Sequence, residues 1–411
     1  MAAESARVES ARGERAGRSQ ARELMPLERA VNESAGKVTV LWSSFTLTGV
    51  YLGLTSGSVT HRELLLDTAV RMPVLGVELP IVAYFALAPL IYLVFHGYLM
   101  LQLGRLFAKV RCWGELAVEQ VPDPADRALL RLRLDDFPLL QFLARREDRL
   151  DLQGLLLTAV SWFTVTAVPL LVLLQMQLAC LPYHSAGLTW LHRGVIALDL
   201  GMAWLFWWDV GLRGPARRLG RTVGRVAGVA AVVTLSVFSL FLATFHGEAL
   251  HENWVKRGLD RVTSILTGGR STLSQVLFEG DVDEASGRST SWFSSRLILP
   301  DQDFTPADPD AALNARGRDL RGAVFRRSSL RGADFTGSKL EGASFAEADL
   351  RGARFGCPLR IALNEQGRNR ESTNSAGCTR LDGVDFTGAD LQGAVLPSPQ
   401  SASPPGTAPP P

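Results

Sequence analysis

"RGAVFRRSSLRGADFTGSKLEGASF", residues 321–345, sets Phe325, Leu330, Phe335, Leu340 and Phe345 five residues apart. An α-helix turns about 100° per residue, so five residues rotate the side chain by roughly 140° and scatter these groups around the cylinder. A flat strand fails as well, because an odd spacing sends successive large side chains to opposite faces. The period implies a chain that turns a corner every few residues.

The rhythm runs through Leu320, Phe325, Leu330, Phe335, Leu340, Phe345, Leu350 and Phe355 in strict Leu/Phe alternation. A small residue precedes most of these by two positions: Ala323, Ser328, Ala333, Ser338, Ala343, Ala348 and Ala353. After an interruption the pattern resumes at Leu381, Phe386, Leu391 and Leu396.

"ADF" at 333–335 and "ADL" at 348–350 and 389–391 resemble the pentapeptide-repeat family, whose consensus is Ala, Asp or Asn, Leu or Phe, then two variable residues. The resemblance implies a C-terminal right-handed quadrilateral parallel β-helix with four pentapeptides per coil. Residue n then stacks on n+20, so Phe325 lies under Phe345 and Leu330 under Leu350. The implied core is Leu320, Phe325, Leu330, Phe335, Leu340, Phe345, Leu350, Phe355, Leu381, Phe386 and Leu391. Three coils at ~4.8 Å make a stub about 15 Å tall, with open β-edges that invite self-association. Residues 271–301, with Phe278, Trp292, Phe293 and Leu297, are expected to cover an edge. The interruption 356–378 begins and ends near Cys357 and Cys378. A loop thrown out between adjacent coils brings its ends together, so these thiols could pair in an oxidising compartment. Two thiols without a nearby histidine do not suggest a metal.

Outward from the repeats the chain changes character. At 411 residues it has room for two or three structural units. Its 43 basic and 41 acidic residues nearly cancel, but apolar residues crowd residues 38–245. Five runs there are near the ~20 residues that cross a bilayer as a helix: 38–55, 79–104, 154–179, 190–209 and 226–245. Lys plus Arg number 7 before the first run, then 2, 9, 0 and 5 in the loops. The alternation satisfies the positive-inside rule with a cytoplasmic N-terminus, and an odd number of spans then leaves the repeats outside, in the periplasm. The expected organisation is a disordered polar arm (1–37), a transmembrane helical domain of about five helices (38–245), a linker and cap (246–314), the β-helix with its insertion (315–396), and a disordered Pro-rich tail (397–411). The stretch 126–147, amphipathic and broken at Pro138, reads as a helix on the cytoplasmic membrane surface, with a partner-binding helix as the alternative. "EGDVDE" (279–284) lacks EF-hand spacing and reads as a solvated turn.

Ionisable groups inside spans are the first place to look for function. Asp199 lies in the fourth run and His96 in the second. Counted from the outer ends of those runs, their depths differ by roughly 12 Å at ~1.5 Å per residue, so Thr164 is the better-placed partner for Asp199.

No phosphate loop, nucleophile elbow or metal-spaced His or Cys set is present, and six dispersed histidines offer no ligand spacing. The expectation is a protein that is not an enzyme and takes no cofactor or metal. Some pentapeptide proteins mimic DNA and occupy gyrase, which needs an acidic surface. Residues 316–355 carry nine basic and five acidic groups, the wrong sign, so no nucleic-acid role is expected. The whole layout resembles uncharacterised bacterial multi-span membrane proteins that end in pentapeptide repeats, a resemblance that implies the bacterial inner membrane. Membrane lipids, a protein partner and a second copy through the β-helix edges are the expected partners. A small transporter or channel with an accessory β-helix is the alternative.

Overall fold

The computed structural model describes residues 2–72, 76–144, 152–212, 218–283, 288–305, 312–363, 369–373 and 377–397. The tail after Pro397 and the tip of the 356–378 insertion lie outside them. In chain order the elements are α1 (Ala2–Ser58), α2 (His61–Leu66), β1 (Val70–Met72), β2 (Val77–Leu79), α3 (Ile81–Gln120), α4 (Pro124–Arg131), α5 (Pro138–Ala144), α6 (Leu152–Trp162), α7 (Val168–Cys180), α8 (Ala186–Leu212), α9 (Arg218–Val237), α10 (Trp254–Leu266), β3 (Leu359–Leu363) and β4 (Asn369–Thr373). A π-helical turn, Phe163–Ala167, joins α6 to α7; others follow α9 (Phe238–Leu242) and precede the repeats (Gln275–Glu279). The chain divides into two compact units. One comprises Met1–Leu54, Leu87–Gln175 and Gly194–Leu235; the other comprises Thr55–Ala86, Met176–Arg193 and Ser236–Pro411.

Among the described residues, three helices are long and apolar enough to cross a membrane: Leu24–Ser58, Ile81–Gln120 and Leu152–Tyr183. Gly228–Leu242 is apolar but shorter. The fourth run forms α8, whose His192, Arg193 and Asp199 lower its hydropathy.

In the first unit, the expected disordered arm is helical. Ala, Glu and Arg are strong helix formers, and α1 buries Leu24, Val31, Ala35, Val38 and Phe45 along one stripe. Asn32 locks this segment to the loop after α4, donating to the Arg133 carbonyl at 3.0 Å and accepting from the Asp135 N–H at 2.9 Å. The stretch expected to lie on the membrane surface over 126–147, broken at Pro138, forms two short helices, the second starting at that proline. Only α4 has no buried residue; α5 sinks Leu139, Leu140, Phe142 and Leu143 into the core. Phe137 meets Trp42 edge-on at 5.8 Å, and Phe142 meets Trp207 at 5.9 Å. The apolar residues of α5 thus serve protein packing, whereas Leu129 and Leu132 in and after α4 stay exposed.

In the second unit, the repeats wind into a parallel β-helix. Asp319 pairs with Lys339, Val324 with Ser344 and Ser329 with Asp349, each one full coil further along the chain. Across the insertion the same ladder continues, with Lys339 on Arg380 and Ser344 on Asp385. Leu320, Phe325, Leu330, Phe335, Leu340, Phe345, Leu350 and Phe355 are all buried, as are the seven small residues beside them. Phe345 stacks on Phe325 at 5.2 Å and on Phe386 at 5.6 Å, and Phe355 stacks on Phe335 at 5.2 Å. The inserted residues form an excursion containing the β3–β4 hairpin, and a Cys357–Cys378 disulfide closes its base. The solenoid starts before the expected boundary at 315. Ile298 pairs with Val324 and Asp303 with Ser329, while Leu297, Leu299, Phe304 and Leu313 are buried. Leu297 thus serves the edge. Trp292 is exposed, and Phe278 packs with Leu181, Leu242 and Phe245.

Each corner closes with a backbone bond from residue i+3 to i, such as Ala343 N–H to Leu340 O at 2.9 Å and Ala348 N–H to Phe345 O at 3.0 Å. The third turn residue takes positive φ, as type II turns require. Gly342 does so at +68°, whereas Glu347 is held at +57°. A Cβ on Gly342 would meet nothing within 4 Å, so only backbone conformation is at stake. Gly342→Ala should cost about 1 kcal/mol and Glu347→Gly should return a similar amount. Hydrogen-exchange protection of the amides in residues 340–355 measures both; equal protection in the two variants would contradict this account.

Candidate functional site

The first unit buries an ionisable pair. His96 on α3 places Nδ1 2.5 Å from Asp199 Oδ1 on α8, and its Nε2 lies 3.0 Å from the Val165 carbonyl. The π-turn Phe163–Ala167 supplies that acceptor, because its extra residue tips a carbonyl out of the helical ladder. Phe45 stacks on both His96 (5.0 Å) and Tyr92 (4.7 Å), fixing the ring plane. A carbonyl only accepts, so Nε2 carries a hydrogen. The short Nδ1–Oδ1 contact then needs a proton of its own, on nitrogen or on oxygen; without it two lone pairs would face each other.

This contact corrects the sequence-based depth estimate. Depth follows helix starts, not the edges of apolar runs. With α3 beginning at Ile81 and α8 at Ala186, His96 and Asp199 lie almost equally far along their helices and are nearly level. Thr164, the expected partner of Asp199, donates instead to Val160 O in its own helix, at 2.8 Å.

The second unit buries a stronger ion pair that the sequence did not single out. Arg193 donates to both carboxylate oxygens of Glu248, to Ala243 O at 3.1 Å and, through Nε, to Ser239 O at 3.2 Å. Ser239 O also accepts from Gln177 Nε2 at 3.0 Å. Here too a π-turn, Phe238–Leu242, provides the carbonyl. Glu248 lies beyond the apolar run, so residue spacing within the run gave no hint of it.

The remaining histidines each have a place in this unit. His61 Nδ1 accepts from the Ile298 N–H at 2.9 Å, and His192 Nε2 donates to Phe85 O at 2.9 Å. His184 donates to Ser295 O at 2.7 Å, stacks on Phe245 and lies 3.6 Å from Asp319, which Arg321 clamps through both oxygens. His251 sits 5.0 Å from the His246 ring and 3.3 Å from Glu279, which also binds Lys256. Among the described residues, no group of three His, Cys, Asp or Glu is placed to hold a metal.

On the β-helix itself, seven of the nine basic groups counted over 316–355 are in ion pairs. Arg316, Arg321, Arg331, Lys339 and Arg351 use acids of the same stretch. Arg318 and Arg327 reach Asp67 and Asp301 outside it. These seven cations share five carboxylates, because Asp319 and Asp349 each serve two, so the two outside acids reduce the surplus read from the sequence without cancelling it.

Comparison with known proteins agrees with this geometry for one segment. Residues 319–356 match the family described as Pentapeptide repeats, in eight copies. Residues 319–356 are pentapeptide repeats. A crystal structure of a pentapeptide repeat protein from Nostoc Pcc 7120 is 22% identical over 24% of this chain and 75% of that chain, with a TM-score of 0.08. No curated protein matches the sequence.

Two outcomes follow. His96→Leu strands the Asp199 carboxyl and should cost about 3 kcal/mol. Asp199→Asn still offers an N–H to Nδ1 and should cost about 1 kcal/mol. Thermal melts of the full chain carrying Cys112→Ser, followed by a thiol-reactive dye on buried Cys180, would show the order reversed if the contact were not protonated as described. The second outcome concerns acid. Burial pushes His251 down to about 4, with the Lys256 ammonium adding to it, and burial also lowers His61 and His246. Burial works to raise Glu279 and Asp319, but Lys256 holds the first, and His184 with Arg321 holds the second, below the ordinary range. Unfolded histidines take up protons near pH ~6.5 and unfolded carboxylates near ~4. Stabilisation present above the histidine value is therefore lost as pH falls towards 4, and the carboxylates extend the loss below that. Calorimetric melting should be level at pH 7–8 and fall steadily below about 6.5, less steeply in His251→Gln.

Proposed function

We propose that the protein is a membrane-anchored scaffold that presents a short pentapeptide β-helix as a non-catalytic interaction platform. The observation that carries this reading is the open last coil. Phe345, in the second coil, is 0% exposed, whereas Leu396, the last rung of the third, is 50% exposed. The last coil's outward backbone groups form an edge of the kind that accepts another strand or a second copy. The binding surface is that edge rather than the basic sides, most of whose cations are engaged in ion pairs.

Five spans with a cytoplasmic N-terminus and periplasmic repeats, in a bacterial inner membrane, complete the reading. It is supported by the three long apolar helices, the Lys and Arg alternation between the runs, and the Cys357–Cys378 disulfide, a bond that persists in oxidising compartments. Partners are membrane lipids around the helices and a protein at the open coil; nucleic acid is not among them. The His96–Asp199 pair favours a second reading, a small proton-handling transporter with an accessory β-helix.

Alkaline phosphatase fused after Pro397 should be active and GFP at the same point dark; the reverse pattern would overturn the sidedness. Leu396→Glu should abolish partner capture or self-association while exchange protection of the first two coils stays unchanged, and undiminished association would remove the open coil as the surface. Asp199→Asn should leave that association intact; loss of a proton-coupled flux in this variant would favour the transporter.

A further inference from the structure

α10 (Trp254–Leu266) begins nine residues after Phe245 and packs Leu259 against the cluster of Leu181, Leu242, Phe245 and Phe278, at the end of the apolar helix Gly228–Leu242. Its inner side is fully engaged. Lys256 binds Glu279, Asp260 receives the Ser274 N–H and hydroxyl, and Thr263 receives the Leu273 N–H. The opposite side is unlike that of a water-facing helix. Trp254, Val262, Ile265 and Leu266 are 76%, 54%, 73% and 80% exposed. At ~100° per residue these side chains and Gly258 fill a continuous arc of about 120°. Arg257 and Arg261 border that arc on one side; both are exposed, and among the described residues neither has an ion-pair partner.

We propose that α10 is a lipid-binding helix that lies in the membrane interface and recognises anionic phospholipid. This rests on the membrane-anchored reading above. The occupant follows from three features together. The helix is held by its inner face at the end of an apolar helix, within reach of the bilayer boundary. The exposed arc is apolar throughout and opens with a tryptophan, the side chain best suited to the headgroup level. The only charges along its border are two free guanidiniums, whose planar forks match phosphate oxygens. A protein groove would satisfy the arc but leaves the two arginines on one border without a role.

The test uses the full chain with Cys112→Ser and Cys180→Ala, so that Ile265→Cys carries a single environment-sensitive fluorophore while the disulfide stays closed. The labelled protein is reconstituted into phosphatidylcholine vesicles with and without phosphatidylglycerol. Emission from position 265 should shift to the blue, be quenched by bromines on the upper acyl chain, and resist aqueous iodide several-fold better than a label at exposed Gln392→Cys. Phosphatidylglycerol should deepen the protection, and Arg257→Glu with Arg261→Glu should abolish that dependence. Equal iodide access at 265 and 392 in a chain that floats with the vesicles would overturn the inference and leave the membrane reading standing. A label shielded from iodide yet untouched by lipid bromines would assign the arc to a protein and overturn it equally. Protection indifferent to phosphatidylglycerol would overturn the recognition of anionic lipid. Failure to float with any vesicle would overturn the membrane reading itself.

Discussion

The β-helix depends on one constraint: every backbone group leaving a coil must be met at the same corner of the next, because a buried N–H or C=O without a partner costs about 1–3 kcal/mol. That demand sets the constant advance from coil to coil, Val324 to Ser344, and the longer advance, Ser344 to Asp385, where the chain makes its excursion. The rungs follow from it. Phe stacks on Phe and Leu on Leu only while the register is kept, so Phe345 can contact Phe325 below and Phe386 above despite the insertion between them. Closing a longer loop costs little extra, since each doubling adds about 0.6 kcal/mol. The excursion is tolerated because it returns the chain to the corner it left, and Cys357 and Cys378 join at that corner.

The same need for partners shapes the helical segments. A buried imidazole, guanidinium or amide must find acceptors, yet a regular helix has already committed its carbonyls to its own ladder. The π-turns release some. Val165 O receives His96, and Ser239 O receives both Arg193 and Gln177. In the third π-turn, Val276 O, Leu277 O and Phe278 O receive the backbone N–H groups of Trp292, Phe293 and Ser295. Each irregular turn is therefore an acceptor site for a group remote in sequence, and removing the regularity there is what allows polar side chains to be buried nearby.

What could be read in the sequence divides along this line. The rungs were legible because a five-residue period excludes both a helix and a flat strand, and the turn glycines and small corner residues carry the same period. The His96–Asp199 contact was not, because apolar runs mark where hydrophobicity begins and not where helices begin. Residues 24–37 were misread for a related reason. Polar composition says how much surface a segment can bury on average, and the buried stripe of Leu24, Val31 and Ala35 escapes such an average. The Arg193–Glu248 pair was invisible because its partners sit on either side of a boundary drawn by hydropathy.

Charge shows why a count differs from a surface. Nine basic and five acidic groups over residues 316–355 suggest a cationic platform that would draw polyanions. In the fold, Arg316 reaches Asp334 and Arg331 reaches Asp349, so neighbouring coils lace together; Arg318 and Arg327 take acids from outside the repeats. Exposed pairs of this kind contribute about 0–1 kcal/mol each, too little to hold the coils together, but they tie up part of the charge that a count leaves free. Among the described residues the ladder stops at the third coil, where Leu396 is half exposed while Phe355 in the coil below is buried. An element that stops before its needs are met offers more binding energy than a finished face, which is why the reading proposed above looks to the end of this β-helix and not to its sides.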